Sequence, residues 1–503
     1  MSESSYDHSP EEIEAFCRQA QEAIEALEAA VADRGMLSYL SQDDRQRFLT
    51  AAGRVSKPDK ASRKRLARTQ RRKDKVKARA RDEALLARTG IRRLRENPIF
   101  QTPRKRLAQA GAPEPEASEP LGELGEERTC YVCRAKYREV HSFYDHMCVG
   151  CGDFNFAKRE QTADLSGRVA LISGARVKIG YQAAIMLLRA GCQVIVLTRF
   201  PGDAAERYSK EDDFAQWGDR LEIHGIDLRH IPSVERLCQR LLAEHSRLDF
   251  IINNACQTVR RPPGFYDHLM ERELTAGEDL PEVARALMAP SDGGFAQVGH
   301  ESDVPAAVLS QLPLVSEDLE RGEQLFPMGQ LDADLQQVDL REVNSWRLEM
   351  ADVSTVELLE VQLVNAVAPF IINARLKPLM LAVPTHDKHI VNVSAMEGQF
   401  YRHFKSSRHP HTNMAKAALN MMTRTSALDY IKDGIHMNSV DTGWVTDEDP
   451  AALAERKREV HRFHPPLDIV DGAARIIDPI FSGFLTGKHV WGQFLKDYKE
   501  TDW

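Results

Sequence analysis

Four cysteines stand in two C-x-x-C pairs, Cys130/Cys133 and Cys148/Cys151, with fourteen residues between the pairs. Two such knuckles bring four thiolates together in the donor set of a structural zinc site, with no position left for water. His141 and His146 lie between the knuckles and are spare donors, because the cysteines already complete the set. A second chemical pattern is the run S-G-A-R-V-K-I-G, Ser173 to Gly180, which follows a short apolar stretch. Gly174 permits a tight turn and Gly180 a close helix approach, so that a phosphate can reach the free N–H groups of a helix N-terminus. Further along come Asp227, the triplet Asn253-Asn254-Ala255, Asn365, Ser394, Lys416 and the run NSVDTGWVTDE from Asn438 to Glu448.

These groups need a scaffold, and the hydrophobic pattern supplies one. From Asp164 onward short apolar runs alternate with helical patterns: GRVALISG, QVIVLT, LEIHGIDL, DFIINNA, HIVNVS and GIHMNSV read as strands. Strands separated by helices predict an α/β fold with a doubly wound parallel sheet. Residues 10–35 carry Ile13, Phe16, Ile24, Leu27 and Val31 at helical spacing, with Gly35 as the expected stop. Such a helix needs a second element or a second chain to cover its stripe. The stretch RKRLARTQRRKDKVKARARDEALLART has no Pro or Gly and also predicts a helix. The expected organisation is therefore a helical, basic region over 1–110, a Pro/Glu-rich linker over 111–127, a four-cysteine module over 128–160 and the α/β domain over 164–498.

The charge is unevenly spread. Arg54 to Arg106 holds 21 Lys and Arg against five acids, a net of +16, which leaves −24 for the rest of a chain whose formal charge is −8. A basic arm of this kind predicts either an anionic partner (nucleic acid or protein) or docking on the chain's own acidic surface. No run reaches the roughly 18 consecutive apolar residues of a membrane span, so no membrane partner is expected. The first residues lack a basic patch leading into an apolar stretch, and paired cysteines fit a reducing compartment, so a cytoplasmic protein is expected.

Taken together, the motifs resemble the short-chain dehydrogenase/reductase family over residues 165–495. The family's glycine motif corresponds to Ser173, Gly174 and Gly180, with Lys178 at its middle glycine. Its adenine contact corresponds to Asp227 and Leu228, and its Asn-Asn-Ala-Gly to Asn253, Asn254, Ala255 and Cys256. Its structural asparagine, serine and lysine correspond to Asn365, Ser394 and Lys416. Its later motif matches Asn438, Val440, Gly443, Val445 and Thr446, with Thr442 in place of proline. The resemblance implies a Rossmann fold, an NAD(P) cofactor and hydride transfer on a carbonyl or alcohol substrate. It also implies a homo-oligomer built on the long helices before the fifth and sixth strands.

Under this reading Ser173, Gly174, Arg176, Lys178, Ile179, Gly180, Arg199, Asp227, Leu228, Asn254, Ala255, Lys416, Gly443, Val445 and Thr446 bind the cofactor. The second strand ends in Leu197-Thr198-Arg199, with no acid for a ribose 2′-OH, so NADP is expected over NAD. Ser394 would hold the substrate oxygen, Lys416 the nicotinamide ribose and Asn365 a water. Four residues before Lys416, where the family has its acidic tyrosine, stands Thr412. Tyr401 and His411 are then the candidate replacement proton donors. Asn254 and Asn365 are 111 positions apart, which predicts an insertion near 262–345 that lids the site or packs on the basic arm. Two functions follow: an oxidoreductase with a non-standard proton donor, or a degenerate NAD(P)-binding scaffold that acts through its cysteine module and basic arm.

Overall fold

The computed structural model describes residues 9–103, 119–275, 279–289, 304–319, 322, 324–401, 405–461 and 464–503. Residues 104–110 of the expected helical region and 111–118 of the expected linker lie outside these, as do parts of the insertion. Contacts divide the chain into two units, Met1–Arg81 and Asp82–Trp503, and the division falls within a helix.

The first unit is helical. α1 (Pro10–Ala32) opens on a capping box between Ser9 and Glu12 and closes at Asp33, two residues before the expected Gly35 stop. α2 (Gln42–Ser56) is capped by Ser41, and α3 (Lys60–Ala87) carries the basic run. None of this unit's described residues is buried, and Ile13, Phe16, Ile24 and Val31 are exposed.

In the second unit the expected boundary near residue 110 does not hold. Leu86 and Ile91, the latter on α4 (Gly90–Arg95), are fully buried with Cys130, Val140, Tyr144 and Met147. The same core takes in Val445, Leu467, Ile469 and Val470. The cysteine segment is thus part of one apolar core with the α/β fold and is not a separate domain. The linker also ends early, because residues 123–127 already lie in β1 (Glu123–Thr129), which pairs antiparallel with β2 (Lys136–Glu139). α5 (Val149–Glu160) follows, starting at the second knuckle.

The main sheet has eight strands. β3 (Val169–Ser173), β4 (Gln193–Thr198), β5 (Leu221–Gly225), β6 (Phe250–Asn253), β7 (Lys388–Ser394), β8 (Ile435–Asp441) and β9 (Phe494–Lys496) run parallel, and β10 (Lys499–Thr501) turns back on β9. The order is β10-β9-β8-β7-β6-β3-β4-β5, which reverses direction between β3 and β6. Strands buried on both faces explain why the sequence shows continuous apolar runs here. One face is covered by α6 (Lys178–Arg189) and by α7 (Pro201–Ser209), the other by α8 (Ile231–Glu244).

Between β6 and β7 the insertion forms α9 (Asp267–Leu274) and the short α10 (Glu282–Arg285) and α11 (Ala306–Leu309). Phe200 joins Phe265, Tyr266, Leu269, Ala307 and Phe326 in a small core of their own. α12 (Thr355–Gln362) then runs through one π turn, Leu363–Val367, into α13 (Ala368–Leu381). This helix is long and apolar enough to cross a membrane, but Ile372, Leu376, Leu379 and Met380 are buried in the sheet's core. α14 (Pro410–Tyr430), α15 (Ala451–His461) and α16 (Ile469–Thr486) complete the fold, and α16 packs beside α6.

Candidate active site

Open parallel sheets bind ligands outside the carboxyl ends of their strands, where the strand order reverses. A cavity of about 400 Å³ lies there, lined from the ends of β3, β4 and β6 and from the loop after β5. At the turn after β3, Gly174 has φ +69°, and a Cβ there would sit 2.8 Å from Ala255 Cα. A Cβ on Gly180 would lie 2.3 Å from Asn254 Nδ2 and 2.4 Å from the Gly174 carbonyl oxygen. Asn254 Nδ2 donates to the carbonyls of Ser173 and Gly174, and Ala255 N–H to Ser173 Oγ, which locks the turn onto β6. Lys178 has φ +57°, so it keeps the left-handed backbone that a glycine would adopt freely.

Gly174, Arg176, Lys178, Ile179, Gly180, Arg199, Asp227, Leu228, Asn254, Ala255 and Thr446 line this cavity. Several of their charges are already committed. Buried Arg176 lines the cavity but donates to Asp203 Oδ2 at 2.6 Å and to Gln336, so its charge is already paired. Burial acts to raise the Asp203 pKa, but Arg176 and Arg207 outweigh it and hold the carboxyl below its usual value. Asp227 accepts from the Arg229 guanidinium at 2.6 Å, and that pairing likewise overcomes burial and lowers its pKa. Arg199 Nη2 donates to Tyr266 Oη at 2.7 Å, and its guanidinium lies over the Phe200 and Tyr266 rings.

The later loop falls out differently. Gly443 and Val445 do not line the cavity: Val445 is buried in the cysteine-segment core, and a Cβ on Gly443 would meet Leu467 and Tyr131 Oη. Tyr131, between the first two cysteines, accepts the Trp444 N–H at 3.0 Å. Thr446, two residues on, is therefore braced from the cysteine segment, and its Oγ1 donates to Glu448.

Ser394 ends β7 and Lys416 lies on α14, both buried and outside the cavity. Lys416 Nζ donates to the Val393 carbonyl at 2.8 Å. Ser394 Oγ and Thr412 Oγ1 are buried with no hydrogen-bond partner among the described residues. Asn365 sits in the π turn, where Oδ1 accepts the Gln257 N–H at 2.7 Å and Nδ2 donates to the Gln257 carbonyl. π turns recur at functional sites because the extra residue re-aims the side chains around it. His411 is buried with Nε2 3.3 Å from Glu357 Oε1. Burial acts to raise the Glu357 pKa, but His411 and Ser345 outweigh it and hold the carboxyl below its usual value. Tyr401 is 86% exposed and lines a different cavity with Phe400, Met421 and Trp503, so the fold does not bring it to this site.

The sequence reading missed residues of the insertion. Asp332, Gln336 and Gln337 line the cavity, and Asp334 Oδ2 stands 4.0 Å from Lys178 Nζ. The acidic, glutamine-rich run DADLQQ was the signal, but nothing local said where it would land. Phe100 N–H donates to the Ala333 carbonyl, so the end of the basic segment meets the insertion.

In the cysteine segment, one sulfur from each of Cys130, Cys133, Cys148 and Cys151 lies within 4.8 Å of the others, and Cys133 Sγ is 3.8 Å from Cys148 Sγ. Zn–S bonds of about 2.3 Å in a tetrahedron put sulfurs about 3.8 Å apart, so the four donors fit that ion.

The family description "short chain dehydrogenase" matches residues 168–272, and "Enoyl-(Acyl carrier protein) reductase" matches residues 343–467. An uncharacterized protein, R665, of Acanthamoeba polyphaga mimivirus is 30% identical over 366 residues, 70% of this chain and 71% of the relative. A short-chain dehydrogenase/reductase, pyiH, of Pyricularia grisea is 28% identical over 184 residues, 34% of this chain and 74% of the relative. Among solved structures, the Pseudomonas aeruginosa RhlG/NADP active-site complex is 17% identical with a TM-score of 0.41, covering 66% of this chain and 95% of that one. The chain belongs to the short-chain dehydrogenase/reductase family of oxidoreductases.

Proposed function

We propose that the chain is an NADP(H)-dependent oxidoreductase that moves hydride between the cofactor and a carbonyl or alcohol carbon, with a proton donor other than tyrosine. One observation carries the reading: a glycine turn that admits no Cβ occurs together with two buried, unpartnered hydroxyls, Ser394 Oγ and Thr412 Oγ1, around Lys416. Buried polar groups without partners call for an explanation, and a bound ligand that completes their hydrogen bonds is one. The glycine turn fits a pyrophosphate at the N-terminus of α6. Bound NADP(H) would supply the hydride.

The chain's own residues would do the rest. Arg199 stands where an acid would hold the 2′-OH of NAD, and with Nη2 given to Tyr266 its Nε and Nη1 suit a 2′-phosphate. Ser394 would hold the substrate oxygen. Lys416, released from Val393, would hold the ribose. Threonine is far too weak an acid to replace tyrosine, whereas an imidazole can give and take a proton, and the Glu357 carboxylate 3.3 Å from His411 Nε2 would orient the ring. His411 is thus the assigned proton donor, with Thr412 shaping the pocket. The cysteine segment would hold a structural zinc that keeps Tyr131 against Trp444.

A second reading is favoured by the self-pairing of Arg176, Asp227 and Lys416: a scaffold that binds NAD(P) without turnover. Separate fluorescence titrations with NADPH and NADH test both. The expected result is NADPH binding at least about tenfold tighter, with the preference abolished in Arg199→Ala. No binding of either nucleotide overturns the enzyme reading and the NAD(P) scaffold alike.

A further inference from the structure

Three histidines meet at the end of the sheet opposite the cleft. His389 and His436 face one another in register on β7 and β8, each one residue into its strand, and His489 reaches them from the loop after α16. The ring centroids are 5.2 Å apart for His389 and His436, and 5.0 Å for each of these to His489. One nitrogen of each ring lies within 4.8 Å of the other two, and His389 Nε2 is 2.8 Å from His489 Nδ1. His389 is fully buried and His436 nearly so.

The surroundings orient these rings as a ligand set. His436 Nδ1 is 3.2 Å from the Lys388 carbonyl oxygen; donating there, it leaves Nε2 bare, as the outer partner of a metal-bound imidazole commonly does. Lys388 itself turns away and donates Nζ to the carbonyls of Val383 and Thr385. Arg168 is held by Asp387 and Asp249, so the nearby cation is neutralised. The approach of His489 depends on a glycine in α16: a Cβ on Gly483 would lie 2.4 Å from His489 Nδ1. His389 and His489 share one hydrogen bond, which leaves His389 Nδ1 buried without a partner among the described residues. Apolar side chains of the same size would fill this place without that desolvation cost.

We propose that His389, His436 and His489 form a binding site for a divalent transition metal of the zinc class, separate from the four-cysteine site. Three imidazoles suit zinc, copper or nickel and exclude calcium and magnesium, which take oxygen donors. Bonds of about 2.0–2.1 Å in a tetrahedron would set the nitrogens about 3.3–3.4 Å apart, within reach of small side-chain shifts. His389 lies five residues before Ser394, about 17 Å along the strand, so the ion takes no part in hydride transfer. It clasps the starts of β7 and β8 to the loop between α16 and β9.

The test uses the full-length protein, equilibrated with zinc, freed of loose metal by gel filtration and assayed for zinc per chain. The wild-type protein should carry one zinc more than His489→Gln, whatever the cysteines hold; equal contents would overturn the proposal. His436→Asn repeats the comparison if His489→Gln fails to fold. Copper-loaded wild-type protein should also show nitrogen hyperfine coupling in its electron paramagnetic resonance spectrum, which Cys133→Ser keeps and His489→Gln loses. A wild-type spectrum without such coupling would overturn the site independently.

Discussion

At the phosphate turn, a Cβ added to Gly174 or Gly180 would come within 2.3–2.8 Å of neighbouring atoms, so neither position admits a side chain, and Asn254 and Ser173 tie the turn to β6. Behind the cavity, Thr412 stands four residues before Lys416, and its hydroxyl and that of Ser394 lie buried without partners among the described residues. The first region is over-determined by backbone geometry, and the second is loosely satisfied and polar. The difference teaches that a dinucleotide cradle is a packing problem, solved by small residues and a locked turn. A proton relay is a chemical problem, in which a fold can be kept while the acid is replaced.

The sharpest way to break that contrast is Lys416→Ala. If the second region is a working relay, turnover should fall by roughly 10²–10⁴-fold and NADPH binding should weaken, while the circular dichroism spectrum stays near wild type. Unchanged turnover would remove Lys416 from the relay. Gly180→Ala probes the other region. Its methyl would collide with Asn254 Nδ2 and the Gly174 carbonyl, so urea unfolding should show a loss of about 3 kcal/mol and nucleotide binding should weaken. A variant as stable as wild type would show that the turn is not over-determined.

Much of this was readable from sequence, and the exceptions share a cause. The parallel strands announced themselves because burial on both faces demands continuous apolar runs, as in Val169–Ser173 and Gln193–Thr198. The glycine turn was legible because its constraint is local. The pairing of Arg176 was hidden because its partner, Asp203, is 27 residues away on α7. Tyr401 looked like a replacement donor by proximity in sequence, yet the loop after β7 carries it to another surface. The boundary near residue 110 was misplaced because a basic composition hid Leu86 and Ile91, which are core residues. The three histidines gave no signal, since His389 and His489 are a hundred positions apart.

A subtler test concerns Glu273 on α9, which accepts the N–H groups of Gly202 and Asp203 at the start of α7 and so supports Asp203 beneath Arg176. Burial pushes its pKa up to about 7, above the ordinary 4.5. Between those values the folded protein keeps a proton that the unfolded chain releases. This group's contribution is therefore fully present below pH 4.5 and is lost as pH rises towards 7, a change of roughly 2–3 kcal/mol. Glu273→Gln stays neutral throughout, so its stability should vary less with pH and exceed wild type at pH 8. Parallel pH curves for the two proteins would mean that Glu273 ionises normally and that the phosphate end is less tightly enclosed than its geometry implies.

The smallest effect comes from Lys178, where the two regions' logics meet in one residue. Its backbone is left-handed, which costs a lysine about 1 kcal/mol and glycine almost nothing. Lys178→Gly should therefore raise stability by about that amount in urea unfolding. A side chain kept at such a cost implies a return elsewhere, and Nζ lies beside the cradle, 4.0 Å from Asp334. If that return is a contact to the cofactor's phosphates, the same variant should bind NADPH about three- to tenfold more weakly, and more weakly still relative to wild type at low salt. Stability gained with no change in affinity would assign the lysine to Asp334 and the insertion instead, and the cradle would then rest on backbone N–H groups and Arg199.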